Sequence, residues 1–264
     1  MKRRIALIGC GYLGEIIAEA MEKGLLPGYE MAAAMSRRRE SAEALCRRAG
    51  GAAAEGLAEL LGAKPDFVIE TASVETVREY CVPILEAGIS FIPLSIGAFA
   101  DRALYERARS AAERSGAKLY IPHGAVGGFD VLRTAALMAE AEGRTLRAGI
   151  STRKGPASLR NTPVYRPELE TEEQLAFSGS CKEAIALLPA KVNVAVAQSL
   201  ATVGPERASA RITAVPGFVG DEHTITAELP GIRVVSQVYS ENAAIAGWSI
   251  VSLLRDLHSP VSFF

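Results

Sequence analysis

The sequence predicts an α/β protein: a doubly wound parallel sheet, followed by a second α+β domain with a largely antiparallel sheet. Up to about Gly124, short apolar runs alternate with amphipathic stretches of helical spacing, which is typical of a parallel sheet with helices on both faces. Beyond about Arg147, apolar and polar residues alternate singly, as in antiparallel strands. The length of 264 residues, 49% of them hydrophobic, suits two modest domains with a boundary near 120–125.

The first half contains the repeated strand–helix units. Each predicted strand is a short apolar run bounded by turn residues, and each predicted helix has apolar residues three and four positions apart. The predicted strands are Arg4–Gly9, Met31–Met35, Asp66–Ser73, Ile89–Gly97 and Ala117–Gly124. The predicted helices are Glu15–Lys23, Arg39–Ala49, Gly56–Leu61, Glu75–Ala87 and Asp101–Ser115.

The second half mixes helices with alternating strands. We expect helices at Asp130–Glu142, Lys182–Leu187, Asn193–Thr202 and Ala243–Leu257. A strand is predicted at Arg147–Lys154, followed by a polar, proline-bearing stretch. Three further segments, Arg207–Pro216, Asp221–Leu229 and Ile232–Ser240, are predicted to be consecutive strands of one antiparallel sheet.

Charge and cysteine usage exclude several classes of protein. With 29 basic and 30 acidic residues the net charge is −1, so no global field favours nucleic acid or an anionic membrane. No apolar run approaches the roughly 18 residues of a membrane span, and the short apolar stretch at the start reads as a strand rather than a signal peptide. The four cysteines are isolated and form no CxxC pair, which favours reduced thiols in a cytoplasmic protein and no metal site.

A glycine-rich turn after the first strand predicts a nucleotide site. Gly9, Gly11 and Gly14 have the spacing G-x-G-x-x-G, directly after an apolar strand and at the start of a helix, as in Rossmann-type dinucleotide-binding domains. Gly9 would permit the tight turn, Gly11 the close approach of a pyrophosphate, and Gly14 the packing of helix on strand. The helix N-terminus offers free N–H groups to the phosphates.

The end of the second strand indicates which dinucleotide binds. An NAD site usually has an acidic residue there for the ribose hydroxyls, whereas this chain has Ser36, Arg37 and Arg38. Because a guanidinium binds phosphate in a planar fork, these residues favour the 2′-phosphate of NADP over NAD. The alternative is a solvated basic start of the next helix.

Motifs along nearly the whole chain resemble those of the L-aspartate dehydrogenase family. They are IGCGYLGE at the start, SIGAFAD at Ser95–Asp101, IPHGAVGGFDVL at Ile121–Leu132, the run Phe177–Ala201, and DEHTI at Asp221–Ile225. The chain departs from the family pattern at Arg153–Asn161, where a lysine-proline-proline stretch is usual, and at Glu241–Ser249.

The resemblance implies specific roles and a domain arrangement. It places a cofactor-contacting alanine at Ala125, a cofactor-contacting asparagine at Asn193 and the catalytic histidine at His223. It also implies a homodimer and a last helix that returns to the first domain, so we expect a dinucleotide-binding domain of residues 1–123 plus 241–264 and a substrate and dimerisation domain of residues 124–240. The expected cofactor-binding set is Gly9, Gly11, Tyr12, Leu13, Gly14, Ser36, Arg37, Arg38, Ala72, Gly97, Ala125 and Asn193.

The function expected on this basis is an oxidoreductase of amino-acid metabolism. An NAD(P)-dependent oxidative deamination would convert an amino acid, foremost L-aspartate, to oxaloacetate and ammonia through an imine, or run in reverse as a reductive amination. His223 is the candidate general acid and base, since histidine titrates near neutral pH. Candidate substrate-binding residues are His123, Arg153, Lys154, Ser178 and Ser180. The alternatives are a related imine or semialdehyde reductase and a non-catalytic NADP-binding sensor.

Overall fold

The computed structural model describes residues 2–189 and 192–261, and the chain divides into two compact units. The division falls after Gly124 and after Ala243, so that residues 244 onward belong to the same unit as the first 124. Each unit contains one five-stranded sheet. The first is entirely parallel and the second is mixed and mostly antiparallel, which confirms the predicted fold class.

The first unit is a parallel sheet of order β3-β2-β1-β4-β5. Its strands are β1 (Arg3–Ile8), β2 (Tyr29–Met35), β3 (Ala52–Ala54), β4 (Phe67–Glu70) and β5 (Ser90–Pro93). Its helices are α1 (Tyr12–Glu22), α2 (Arg39–Ala49), α3 (Leu57–Gly62), α4 (Val74–Glu86), α5 (Arg102–Ser115) and α9 (Ala244–His258), with a 3-10 turn at Ile96–Ala100.

Helix α9 packs against α1 and completes the core of the first unit. Gly247 lies against Ile16 so closely that a Cβ there would come within 2.8 Å of the isoleucine side chain. Ile250, Val251 and Leu254 belong to the same apolar cluster as the central strands. The Tyr29 hydroxyl donates a hydrogen bond of 2.7 Å to the Leu254 carbonyl. This unit is therefore built from both ends of the chain.

The second unit is a sheet of order β10-β9-β6-β8-β7 with helices packed on it. Its strands are β6 (Arg147–Lys154), β7 (Gln174–Ser180), β8 (Ser209–Ala214), β9 (Asp221–Leu229) and β10 (Ile232–Ser240). Its helices are α6 (Phe129–Ala141), α7 (Cys181–Leu187) and α8 (Asn193–Leu200).

The strand order of the second unit differs from the sequence prediction in one respect. Strands β9 and β10 form the predicted antiparallel hairpin, but β8 lies on the other side of β6 and runs parallel to it. The chain between β6 and β8, which includes α7 and α8, is long enough for the crossover connection that two parallel strands need. The partner of β8 on its outer side is β7, which the sequence did not reveal because QLAFSGS has little apolar alternation.

Two further differences occur in the first unit. The short alanine strand β3 was not predicted, because three alanines give no periodic signal. The predicted strand Ala117–Gly124 is reduced to a single parallel bridge between Phe91 and Leu119. This segment lies at the sheet edge and contains Pro122, which has no N–H to continue a ladder.

None of the helices in residues 2–189 and 192–261 is long and apolar enough to cross a membrane.

Candidate functional site

The turn after β1 has the geometry of a dinucleotide-binding loop. Gly9 has φ +100°, in the region that favours glycine, and a Cβ there would lie 2.8 Å from the backbone of Thr71. A Cβ on Gly14 would collide with the Gly9 carbonyl, so helix α1 can approach β1 this closely only with glycine at that position. Both glycines therefore serve the fold of the loop itself.

Gly11 differs from its two neighbours because its surroundings are open. A Cβ on Gly11 would meet no atom within 4 Å, and Gly11 caps α1 without any side-chain hydrogen bond to the first turn. The space beside Gly11 at the start of α1 is thus open, which fits the approach of dinucleotide phosphates to the helix N-terminus. Tyr12 is exposed at the first position of α1, and Leu13 beside it is half-buried against the core.

The loops after β2, β4 and β5 meet the glycine turn at one edge of the sheet. The register pairs Ile8 with both Met35 and Glu70, so the carboxyl ends of these strands are aligned. The Thr71 hydroxyl donates to the Gly9 carbonyl at 2.6 Å. Ala72 belongs to this loop, and Gly97 is buried in the 3-10 turn after β5. Open α/β sheets bind their ligands at this edge.

Glu70 is a site residue that the sequence analysis missed. It is fully buried, and its two carboxylate oxygens accept four hydrogen bonds of 2.6–3.0 Å, from the N–H groups of Ala72, Ser73 and Ser95 and from the Ser95 hydroxyl. Burial raises the pKa of this carboxyl, and the four donors act in the opposite direction. The carboxylate thereby joins the loops after β4 and β5. The sequence signal that could have revealed Glu70 is its position as the one charged residue at the end of the apolar strand β4.

The basic residues after β2 are placed as the sequence suggested. Arg37 and Arg38 are exposed in the turn between β2 and α2, and Ser36 beside them is half-buried. Arg39, by contrast, is paired with Glu43 and Glu55. No ion pair holds Arg37 or Arg38 within the described part of the chain, so both guanidinium groups are available to an anionic ligand.

His223 lies in the second unit on the buried face of β9. It is 3% exposed, and its Nδ1 is 2.8 Å from the Thr152 hydroxyl on the facing strand β6. Burial lowers the pKa of His223 to about 4; Asp221 raises it and Lys154 lowers it further. The imidazole is consequently neutral at physiological pH, the form in which it can accept a proton.

Lys154 and Asp221 lie on the same sheet face as His223. The register pairs Thr152 with His223 and Lys154 with Asp221, and alternate residues of a strand face the same side. The Lys154 ammonium is 3.1 Å from the Asp221 carboxylate, and the lysine is 2% exposed. A buried cation therefore lies one sheet position from the buried histidine.

The other predicted substrate residues of the second unit are separated from His223. Arg153 projects to the opposite face of β6, where it pairs with Glu173 and Glu222 and lies over the Phe218 ring. Ser178 is on β7, two strands from β6. The Ser180 hydroxyl accepts the Glu183 N–H in a capping box at the start of α7. The structure therefore does not bring these three residues together with His223.

The remaining predicted residues lie at element ends. His123 is half-buried and follows the bridge at Leu119 in the first unit. Ala125 is the first residue of the second unit, and Asn193 is the first residue of α8. Both Ala125 and Asn193 are half-buried.

Family models match both units of the chain. A model described as aspartate dehydrogenase, C-terminal, matches residues 134–257, and one described as homoserine dehydrogenase, NAD binding domain, matches residues 9–122. The fold, the glycine loop and these matches define the class of NAD(P)-dependent amino-acid dehydrogenases.

Individual relatives specify the family. L-aspartate dehydrogenases of Methanosarcina barkeri and Methanococcus maripaludis are 36% and 30% identical to the chain, each over 98% of both sequences. The crystal structure of aspartate dehydrogenase from Thermotoga maritima superposes with a TM-score of 0.80 at 26% identity and covers 100% of both chains. The chain belongs to the L-aspartate dehydrogenase family, which confirms the resemblance noted from its motifs.

Substitutions of Gly14 and Gly11 should have different effects, the first on the stability of the fold and the second on dinucleotide binding. Gly14→Ala should destabilise the fold by about 1–3 kcal/mol, because the added methyl group collides with the Gly9 carbonyl. Gly11→Ala should change the free energy of unfolding by less than about 0.5 kcal/mol and weaken dinucleotide binding roughly tenfold or more. Thermal unfolding and a dinucleotide titration measure the two effects. Unimpaired binding by Gly11→Ala would contradict the placement of the phosphates.

Proposed function

We propose that this protein oxidatively deaminates L-aspartate to oxaloacetate and ammonia through an imine, or runs the reverse reductive amination. The observation that carries the proposal is the buried, neutral His223 held by Thr152. The names of the relatives support the choice of L-aspartate. We also propose a role in amino-acid metabolism in the cytoplasm. Four buried free thiols, three with a pKa raised by burial to about 12, support that location.

The bound dinucleotide supplies the acceptor for the hydride that leaves the substrate Cα. The chain's own task is to move protons. When Nδ1 of His223 donates to the Thr152 hydroxyl, Nε2 carries a lone pair and can take a proton from the water that attacks the imine carbon. The same nitrogen then returns the proton to the substrate nitrogen, and it takes up the hydroxyl proton of the tetrahedral adduct as ammonia leaves and the ketone forms. A neutral histidine at rest is the state that this cycle requires.

We infer that NADP is preferred over NAD. Ser36, Arg37 and Arg38 follow the second strand, where an NAD site would present a carboxylate. The remaining cofactor contacts are proposed from the glycine loop, from Tyr12, Leu13, Ala72 and Gly97, and from Ala125 and Asn193 as the family resemblance implies. The convergence of loops at the glycine turn supports the contacts proposed in the first unit.

A homodimer is proposed through the sheet of the second unit. Three large apolar side chains of this sheet are exposed to solvent: Val235 and Tyr239 on β10, and Leu175 on β7. Exposed apolar side chains on one broad sheet face are typical of a protein interface. The family resemblance supports a second copy of this chain as the occupant of that face. Sedimentation equilibrium should give twice the chain mass of 27.9 kDa, and a single-chain mass would contradict the dimer.

Turnover with a panel of amino acids tests the proposed function. L-aspartate should produce reduced nicotinamide faster than other amino acids, with NADP more effective than NAD. Oxaloacetate with ammonia should oxidise the reduced cofactor. Reduction of an imine or semialdehyde without aspartate turnover would instead favour the reductase alternative, and cofactor binding without any turnover would favour a sensor.

Replacement of His223 should abolish most turnover without loss of cofactor binding. General acid–base catalysis contributes about 10²–10⁴-fold, so His223→Asn should lower kcat by that order, because asparagine cannot carry the proton. His258→Asn is the matched control, since that histidine is the last residue of α9 and packs on Tyr29. Near-normal aspartate turnover by the His223 variant would place the chemistry elsewhere, with His123 the next residue to replace.

The arginines after β2 should discriminate between the two cofactors. Replacing Arg37 and Arg38 together with Ala removes charge-assisted hydrogen bonds of about 1.5–3 kcal/mol, so the Kd for NADP should rise roughly tenfold to a hundredfold. The Kd for NAD should stay nearly unchanged. Arg39→Ala serves as the control, because Arg39 is held by Glu43 and Glu55. Equal losses for NAD and NADP in the double variant would refute the preference.

A further inference from the structure

The ammonium group of Lys154 is buried and short of acceptors. Lys154 is 2% exposed, and its Nζ makes one ion pair, with Asp221 Oδ2 at 3.1 Å. The described part of the chain offers Nζ no second hydrogen-bond acceptor. An ammonium has three N–H donors, and a buried charge with unused donors is costly unless a ligand completes its shell.

The position of Lys154 on the sheet relates it to the proposed proton carrier. On the antiparallel pair β6–β9, Lys154 faces Asp221 and Thr152 faces His223, so Lys154 and His223 are diagonal neighbours on one face. Diagonal positions are about 7–8 Å apart, within the reach of long side chains. A small dicarboxylic amino acid can span such a distance, with its reacting carbon near the histidine and its side-chain carboxylate at the lysine.

Asp221 has the properties of an exchangeable counterion. Its side chain is 36% exposed, whereas that of Lys154 is 3% exposed, so the aspartate can turn to water while the lysine cannot. A substrate carboxylate that replaces Asp221 at Nζ keeps the charge balance of the pair. A neutral side chain could not replace it and would leave Lys154 bound to Asp221.

We propose that Lys154 binds the side-chain carboxylate of a dicarboxylic amino-acid substrate, and that Asp221 occupies this position until the substrate displaces it. The inference rests on the proposed function and adds the residue that selects acidic over neutral substrates. Arg153, the neighbouring cation, does not compete for this role, because it lies on the opposite face between Glu173 and Glu222.

The kinetic test compares Lys154→Met with Asp221→Asn on L-aspartate and L-asparagine, which differ in charge but hardly in shape. At pH 8, the ratio of kcat/KM for aspartate to that for asparagine should fall roughly tenfold to a hundredfold in Lys154→Met. Asp221→Asn should lower the KM for aspartate and thereby raise the ratio, because the competing carboxylate is gone. A purely structural ion pair would give similar losses of stability in both variants and an unchanged ratio, which would overturn the proposal.

A binding measurement separates this proposal from the proposed function. Succinate should raise the Tm of the wild-type protein and of Asp221→Asn but not that of Lys154→Met, whether or not any amino acid is turned over. Absence of aspartate turnover would refute the proposed function, whereas absence of a succinate shift in the wild type would refute the role of Lys154. If Lys154→Met does not fold, Asp221→Asn decides: a higher KM for aspartate and a lost succinate shift would overturn the proposal.

Discussion

The pairing of β6 with β9 is the constraint on which the chemistry of the second unit depends. This register sets His223 against Thr152 and Lys154 against Asp221 on a single buried face. Because side chains alternate along a strand, a slip of β9 by one residue would move His223 and Asp221 to the other face, away from Thr152 and Lys154. Burial keeps the imidazole of His223 neutral. Burial also leaves the ammonium group of Lys154, which is paired with Asp221, able to bind a substrate carboxylate.

The first unit presents the N-terminus of helix α1 to an anionic cofactor. Gly9 and Gly14 allow the turn and the close approach of α1, while the start of α1 beside Gly11 remains open. The buried carboxylate of Glu70 fixes the loops after β4 and β5 with four hydrogen bonds. A rigid set of loops reduces the ordering that a bound dinucleotide must otherwise impose.

The sequence predicted the features that depend on local pattern and missed those that depend on long-range pairing. The glycine turn and the arginines after β2 are contiguous motifs, so their positions could be stated in advance. His223 was found through its resemblance to a family motif. The placement of β8 beside β6, and the fact that Lys154 rather than Arg153 shares the face of His223, follow from the register of strands distant in sequence. Glu70 was missed because its four donors lie on two separate loops.

The charge state of His223 tests most directly whether burial on this sheet face keeps the imidazole neutral. Titration of the histidine nitrogens by NMR measures the protonation state of His223 in the intact protein, and the His223→Asn variant assigns its signal. We expect His223 to remain neutral as the pH falls through the ordinary histidine range of about 6.5 and to be half-protonated near a pKa of about 4. A midpoint near 6.5 would contradict it, because the imidazole would then be exposed to water rather than held on the buried face.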